Sequence, residues 1–120
     1  MEAMHRTALT VTVLALLLGG GLARADERDD ARAQVDFGIE VAQRGLWREA
    51  IFRWQRAVEI DPTYAGAWNN LGIAFEHEGR LDDAREAYET ALDLDPNNVV
   101  IEQNYDLFLE VSDRVNESAR

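Results

Sequence analysis

Few residues in this chain of 120 residues could carry out chemistry. It has no Cys and no Lys, its two serines lie close to the C-terminus, and its histidines are His5 and His77. Neither a nucleophile paired with a base nor a zinc site with three or four ligands can be assembled from this set. His77 is expected near the end of a helix, where a cation interacts favourably with the helix dipole. We therefore expect no catalytic residue, no metal site, no cofactor and no enzymatic activity.

One acidic segment has the spacing with which calcium loops begin. Asp93, Asp95 and Asn97 occupy alternate positions, as the first three ligands of such a loop do. The loop also needs a glycine next and a bidentate glutamate at its twelfth position, where this chain has Asn98 and Asn104. We interpret the segment as a turn between two helices.

The chain repeats itself at an interval of 34 residues, a length typical of helical repeats. The residues that recur are Gly38 and Gly72, Gly45 and Gly79, Ala50 and Ala84, Ala57 and Ala91, Asp61 and Asp95, and Pro62 and Pro96. Such a period predicts a solenoid, in which each unit is a helical hairpin buried only by its neighbours. Solenoids present extended surfaces to partners, so the repeat predicts a binding function.

The second unit carries the fuller pattern. It reads Trp68-x-x-Leu71-Gly72-x-x-Phe75, then Gly79, then Ala84-x-x-x-Tyr88-x-x-Ala91, then Pro96. This pattern resembles the tetratricopeptide repeat (TPR) from about residue 31 to the C-terminus. The first unit departs from it at Gln34, where the tryptophan should stand, and the third unit has only its first helix, with Asp106 at the glycine position. The resemblance implies an all-α fold, a short right-handed solenoid of antiparallel helical hairpins.

Glycine and proline mark the ends of the predicted helices. Gly45 and Gly79 can adopt the left-handed conformation that ends a helix, and the residue before a proline is pushed out of the helical region. Thr63 and Asn97 or Asn98 are candidate N-caps. The predicted helices cover about residues 28–43, 46–60, 64–78, 81–94 and 98–115. They form repeat 1 (about 31–64), repeat 2 (about 65–98) and a C-terminal capping helix (about 98–115) within a domain of residues 26–120.

Glycine is also expected where the two helices of each hairpin cross. Gly38 and Gly72 lack a side chain at that point, so we expect the two backbones to approach each other closely there.

A different pattern precedes Asp26. After Arg6, an uncharged run from Thr7 to Ala23 is broken by three glycines and ends in Ala23-Arg24-Ala25. These are the three parts of a secretory signal peptide, which we assign to residues 1–25. The protein is then expected in the bacterial periplasm or outside the cell, away from the membrane after cleavage. An uncleaved leader would instead anchor it in the inner membrane.

The acidic surface narrows the choice of partners. Residues 26–120 contain ten arginines and 22 acidic residues, a net charge of −12. This charge argues against nucleic acid and anionic membranes, and it favours a protein or peptide partner of basic or mixed apolar character. The last predicted helix is apolar around much of its girth, which leaves a homodimer, a self-assembling structural subunit, as the alternative.

The resemblance to TPR proteins implies where a partner binds. In that family the first helices of the units line a concave groove, and here an apolar stripe away from the hairpin core is flanked by amides. The residues of the predicted groove are Ile39, Asn69, Asn70, Ile73, Gln103, Asn104 and Leu107. TPR modules that hold the C-terminal carboxylate of heat-shock chaperones use Lys and Arg, whereas this chain has Val100 and Asn104 at the corresponding cation positions. A protein-binding adaptor or scaffold without such a clamp is the function we expect.

The mature protein is expected to begin at Asp26, because the Ala23-x-Ala25 site follows a short apolar core. N-terminal sequencing of the exported protein measures this directly. Retention of Met1 or Met4 in the membrane fraction would contradict the prediction and make the segment an anchor.

Overall fold

Five α-helices joined by short turns make up residues 25–120, the part of the chain that the computed structural model describes. Helix α1 covers residues 25–43, followed by α2 (Trp47–Ile60), α3 (Ala65–His77), α4 (Leu81–Leu94) and α5 (Val99–Ser118). The predicted all-α fold of helical hairpins is confirmed. The leader assigned to residues 1–25 lies outside the described residues, apart from Ala25. None of the described helices combines the length and apolar character that a membrane span needs.

The turn inside each hairpin has the same hydrogen-bonded geometry. Gly45 and Gly79 have φ angles of 77° and 72°, the left-handed conformation that the sequence predicts for them. The amide of Gly79 donates to the carbonyl of Glu76 (3.0 Å), and that of Arg80 donates to the carbonyl of Phe75 (2.8 Å). This pair of bonds is a Schellman motif, which satisfies carbonyls that the end of a helix leaves free. The turn at Gly45 repeats the motif.

The helices of each hairpin are held together by an aromatic ring that lies over a glycine. A Cβ atom added to Gly72 would lie 2.7–2.9 Å from three atoms of the Tyr88 ring, which is closer than real Cβ atoms approach other atoms. Gly38 lies in the same way beneath Trp54. The predicted close approach is therefore made by a ring of the second helix against the backbone of the first, and both rings are buried.

The same two rings hydrogen-bond to the helix that they cover. The indole Nε1 of Trp54 donates to the carbonyl of Val35 (3.1 Å), and the hydroxyl of Tyr88 donates to the carboxylate of Glu76 (2.7 Å). Burial, together with the Glu76 carboxylate, raises the pKa of Tyr88 far above its ordinary value. The phenol therefore stays protonated and remains a donor throughout the physiological pH range.

The predicted N-caps have different outcomes. Asn98 caps α5, since its Oδ1 accepts a hydrogen bond from the amide of Ile101 (3.2 Å). The prediction for Thr63 is wrong, because Tyr64 is the N-cap of α3 and has no side-chain capping bond. The Thr63 hydroxyl donates instead to Asp61 (2.7 Å), inside the turn that precedes the helix.

Gln34, which replaces the repeat's tryptophan in the first unit, leaves one buried oxygen atom without a hydrogen bond among the described residues. Gln34 stands where the second unit has Trp68, whose indole donates to the carbonyl of Pro62 (2.8 Å). The Oε1 atom of Gln34 is buried and has no hydrogen-bond donor among the described residues. Gln34 therefore does not reproduce the hydrogen bond that Trp68 makes in the second unit.

Replacing Gly72 with alanine is expected to destabilise the protein by about 1–3 kcal/mol, since the added Cβ must displace the buried Tyr88 ring. Gly66→Ala is the matched control on the same helix. Its Cβ would meet only the edge of Tyr64, at 3.3 Å, and alanine favours the helix. Urea unfolding followed by circular dichroism measures both variants. Equal stability of the two variants would contradict the packing described here.

Candidate binding groove

The predicted apolar stripe contains one half-buried residue between two exposed ones. Ile39 on α1 and Leu107 on α5 are 41% and 62% exposed. Ile73 on α3, which the sequence places off the hairpin core, is partly buried and packs against that core. The prediction is therefore wrong in treating Ile73 as free of the core, because α5 and the start of α4 lie beside it. The open parts of the stripe are Ile39 and Leu107.

A shallow pocket connects Ile73 to the last helix. It has a volume of about 200 Å³ and is lined by Ile73, Glu76, His77, Leu81 and Val111. Aliphatic side chains from α3, α4 and α5 thus meet at one site, with a carboxylate and an imidazole on its edge. Val111 is outside the predicted site, although its apolar character and its distance of four residues from Leu107 place it on the same helical face.

His77, at the last turn of α3, contacts a tryptophan of the first hairpin. Its ring stacks on that of Trp47, with the centroids 3.8 Å apart and an interplanar angle of 9°. The contact joins the end of the second unit's first helix to the start of α2. The sequence predicts only an interaction of His77 with the helix dipole, but His77 also connects the two hairpins beside the pocket through its contact with Trp47.

Two of the predicted groove amides hold helices together. Asn69 is 8% exposed, and its Oδ1 accepts a hydrogen bond from the Nδ2 of Asn104 (3.1 Å). This bond joins α3 to α5. The prediction that Asn69 faces a partner is wrong, because burial between the two helices removes it from the surface. Of the remaining amides, Asn70 is half-buried and Gln103 is exposed.

Helix α5 has one buried face and one exposed apolar face. The buried face packs on α4, where Phe108 and Tyr105 meet Tyr88, with centroid distances of 5.5 and 6.0 Å from its ring. The exposed side chains that share a face with Leu107 form what we call the α5 stripe, made of Val100, Leu107, Val111 and Val115. Their spacings of seven, four and four residues place them along one side of the helix. Val100 and Val115 are not in the predicted site, and they extend it by about one turn before Gln103 and two turns after Leu107.

Acidic residues accompany the apolar ones along the groove. Ile39, Ile73 and Leu107 each have a carboxylate three positions away on the same helix, which is a neighbouring position on a helix surface. These pairs are Asp36 with Ile39, Glu76 with Ile73, and Glu110 with Leu107. Arg114 lies near Glu110, at 3.7 Å, and is itself exposed. Among residues 25–120, no group of three or more His, Cys, Asp or Glu could hold a metal ion. The groove surface of the described residues is thus mixed apolar and acidic.

Comparisons with known proteins agree with this architecture. Residues 35–99, more than half of the chain, match the family model described as the tetratricopeptide repeat. The chain belongs to the TPR family. It is 36% identical over 75 residues to the TPR domain-containing protein PYG7 of Arabidopsis thaliana chloroplasts, covering 62% of this chain and 25% of that protein.

A bacterial TPR protein matches over more of the chain. The type IV pilus assembly protein PilF of Pseudomonas aeruginosa is 33% identical over 120 residues, covering 92% of this chain and 48% of PilF. The solved structure of PilF has a TM-score of 0.67, with 34% identity over 78% of this chain and 41% of that one. This TPR chain thus spans about half of PilF or less.

A third likeness concerns the fold alone. The second TPR domain of human RPAP3, solved in complex with the HSP70 peptide SGPTIEEVD, has a TM-score of 0.63 and 23% identity, covering 66% of each chain. Family membership makes this chain a protein-interaction module.

Substituting Asn69 by alanine is expected to cost about 1 kcal/mol of stability, since it removes the hydrogen bond that joins α3 to α5. Asn70→Ala is the matched control, because Asn70 is the next residue and its amide makes no hydrogen bond within residues 25–120. Thermal unfolding followed by circular dichroism compares the two. A larger loss for Asn70→Ala would contradict the roles described here.

Proposed function

We propose that this TPR chain is a non-enzymatic adaptor or scaffold that binds a protein or peptide segment in the groove formed by α1, α3 and α5. The observation that carries the proposal is the exposure of large aliphatic side chains at the same repeat position of α1 and α5, on both sides of the pocket at Ile73. Aliphatic side chains aligned in a contiguous exposed patch commonly mark an interaction site, because covering them removes apolar surface from water.

The geometry of the groove supports binding rather than catalysis. The pocket at Ile73 is shallow and lined mainly by aliphatic side chains, as a site that receives an apolar side chain of a partner would be. Its polar groups, Glu76 and His77, are engaged with Tyr88 and Trp47. These two residues therefore shape the edge of the pocket and leave its centre apolar.

We further propose that the protein acts in the bacterial envelope, in the periplasm or outside the cell. The three-part leader before Asp26 supports export. The similarity to PilF, a type IV pilus assembly protein of a bacterium, supports a role in assembling other proteins there. The inner membrane would be the location if the leader is retained.

Self-assembly is the second candidate function. The observation that favours it is the α5 stripe, since four exposed aliphatic residues on one side of a helix could pack against a second copy. The excess of acidic over basic residues opposes it, because two copies would bring like charges together. Mass measurement across a range of concentrations distinguishes the two candidates.

The groove hypothesis is tested with peptides selected from a random displayed library on the full-length protein. Ile39→Asp and Leu107→Asp are each expected to weaken the selected peptides by about tenfold or more, which is about 1.4 kcal/mol, since a charge then replaces an apolar contact. Both side chains are exposed, so the helical content and melting temperature should stay close to those of the wild type.

Phe52→Asp is the matched control for these variants. Phe52 is a large apolar residue, 57% exposed, on α2 rather than on a groove helix. Its replacement should leave peptide binding unchanged. Selected peptides that bind the Ile39 and Leu107 variants as tightly as the wild type would place the binding site elsewhere.

A further inference from the structure

A cleft that we call the outer cleft opens on the side of α3 that faces away from Ile73. Trp68, Leu71 and Phe75 line its floor, and their spacings of three and four residues place them on one face of α3. Ile73 lies two residues after Leu71, about half a turn round the helix. The outer cleft has a volume of about 410 Å³, is bordered by α2 and α4, and shares no lining residue with the pocket at Ile73. It is therefore a separate surface from the groove.

One end of the outer cleft holds an arginine of the protein itself. The guanidinium of Arg80 lies over the ring of Phe75, with its central carbon 4.5 Å from the ring centroid. The same guanidinium donates to the carboxylate of Asp83 (2.8 Å). The face of an aromatic ring attracts a cation, and the carboxylate pairs with it. This end therefore combines an aromatic face and a carboxylate around a planar cation.

The other end of the outer cleft has a second aromatic ring. Trp68 lies seven residues before Phe75 on α3, which is about 10.5 Å along the helix axis. Its indole N–H donates to the carbonyl of Pro62 (2.8 Å), which holds the ring in place, and the side chain is only half-buried. Among residues 25–120, no arginine lies over this ring. Tryptophan is the aromatic residue that attracts a cation most strongly, so this end can receive one.

Carboxylates border the outer cleft from both sides. Its lining includes Glu59 at the end of α2 and Glu86 on α4, and both are exposed. The carboxylate of Glu86 has no ion pair within residues 25–120. Glu59 contacts Arg56 (3.1 Å), but both side chains are more than half exposed, and exposed pairs of this kind contribute little to stability. An incoming cation can therefore pair with either carboxylate.

We propose that the outer cleft binds an arginine side chain of a partner protein, with the guanidinium over the ring of Trp68 and paired with Glu59 or Glu86. A guanidinium is planar, so it stacks on an aromatic ring while its edge donates to a carboxylate. Arg80 makes both kinds of contact at the other end of the outer cleft. The site does not depend on the groove, and a module with both sites would hold one partner on each side of α3.

A short blocked peptide of alternating glycine and arginine tests the proposal by nuclear magnetic resonance on the isotope-labelled full-length protein. The three tryptophans, Trp47, Trp54 and Trp68, each give one indole N–H resonance. We expect the peptide to shift the Trp68 resonance in a saturable way and to leave that of the buried Trp54 in place. The same peptide with citrulline, the neutral analogue of arginine, should bind about tenfold more weakly or worse, since it lacks the cation.

The protein variant for this test is Glu59→Gln/Glu86→Gln, which we expect to bind the arginine peptide about fivefold more weakly or worse. The matched control is Asp93→Asn/Asp106→Asn, which removes the same number of charges from exposed positions outside the outer cleft. At physiological salt, distant exposed charges are largely screened, so the control should bind as the wild type does. Circular dichroism verifies that both variants keep their helices.

Each other result overturns the inference. An unmoved Trp68 resonance would show that the arginine does not lie over this ring. Equal binding of the citrulline peptide would show that the cation is not recognised. Equal weakening by the control variant would reduce the binding to a general attraction between the peptide and an acidic protein. None of these results bears on the groove, because the peptides selected to test the proposed function bind to different residues.

Discussion

The contact between an aromatic ring and a glycine backbone determines how each hairpin is built. Trp54 over Gly38 and Tyr88 over Gly72 fix the distance between the two helices of a unit, because neither ring has room for a side chain beneath it. Since the hydrogen bonds of these rings also reach α1 and α3, the contact sets the rotation of each first helix about its own axis. That rotation brings Ile39 and Ile73 to equivalent places, so the groove depends on it.

Helix α5 has charged residues at positions where α3 has apolar ones. Where α3 has Trp68 and Gly72, α5 has Glu102 and Asp106, both exposed. A helix packed on that side would bury these carboxylates, which is costly. The same helix keeps aliphatic side chains on the side that borders the groove. Charged and aliphatic side chains therefore lie on different faces of α5.

Local signals in the sequence predict the fold well, because the elements are bounded by residues with a strong conformational preference. Gly45 and Gly79 end their helices as expected, and the helix boundaries follow. The groove is less predictable because it depends on contacts between distant residues. The bond of Asn69 to Asn104 and the stacking of His77 on Trp47 arise from the separation of neighbouring units, which no single unit encodes.

The attachment of α5 by one face has a thermodynamic consequence. Its last residues are all exposed, and only its inner face packs on α3 and α4, so this helix should open locally at a lower free energy than the whole domain unfolds. A ligand that needs α5 closed adds to that opening free energy, by about 2.7 kcal/mol at a hundred times its dissociation constant. Ligand binding in the groove and the closing of α5 are then thermodynamically coupled. A protease that trims exposed chain ends would therefore cleave the C-terminus more slowly when the ligand is bound.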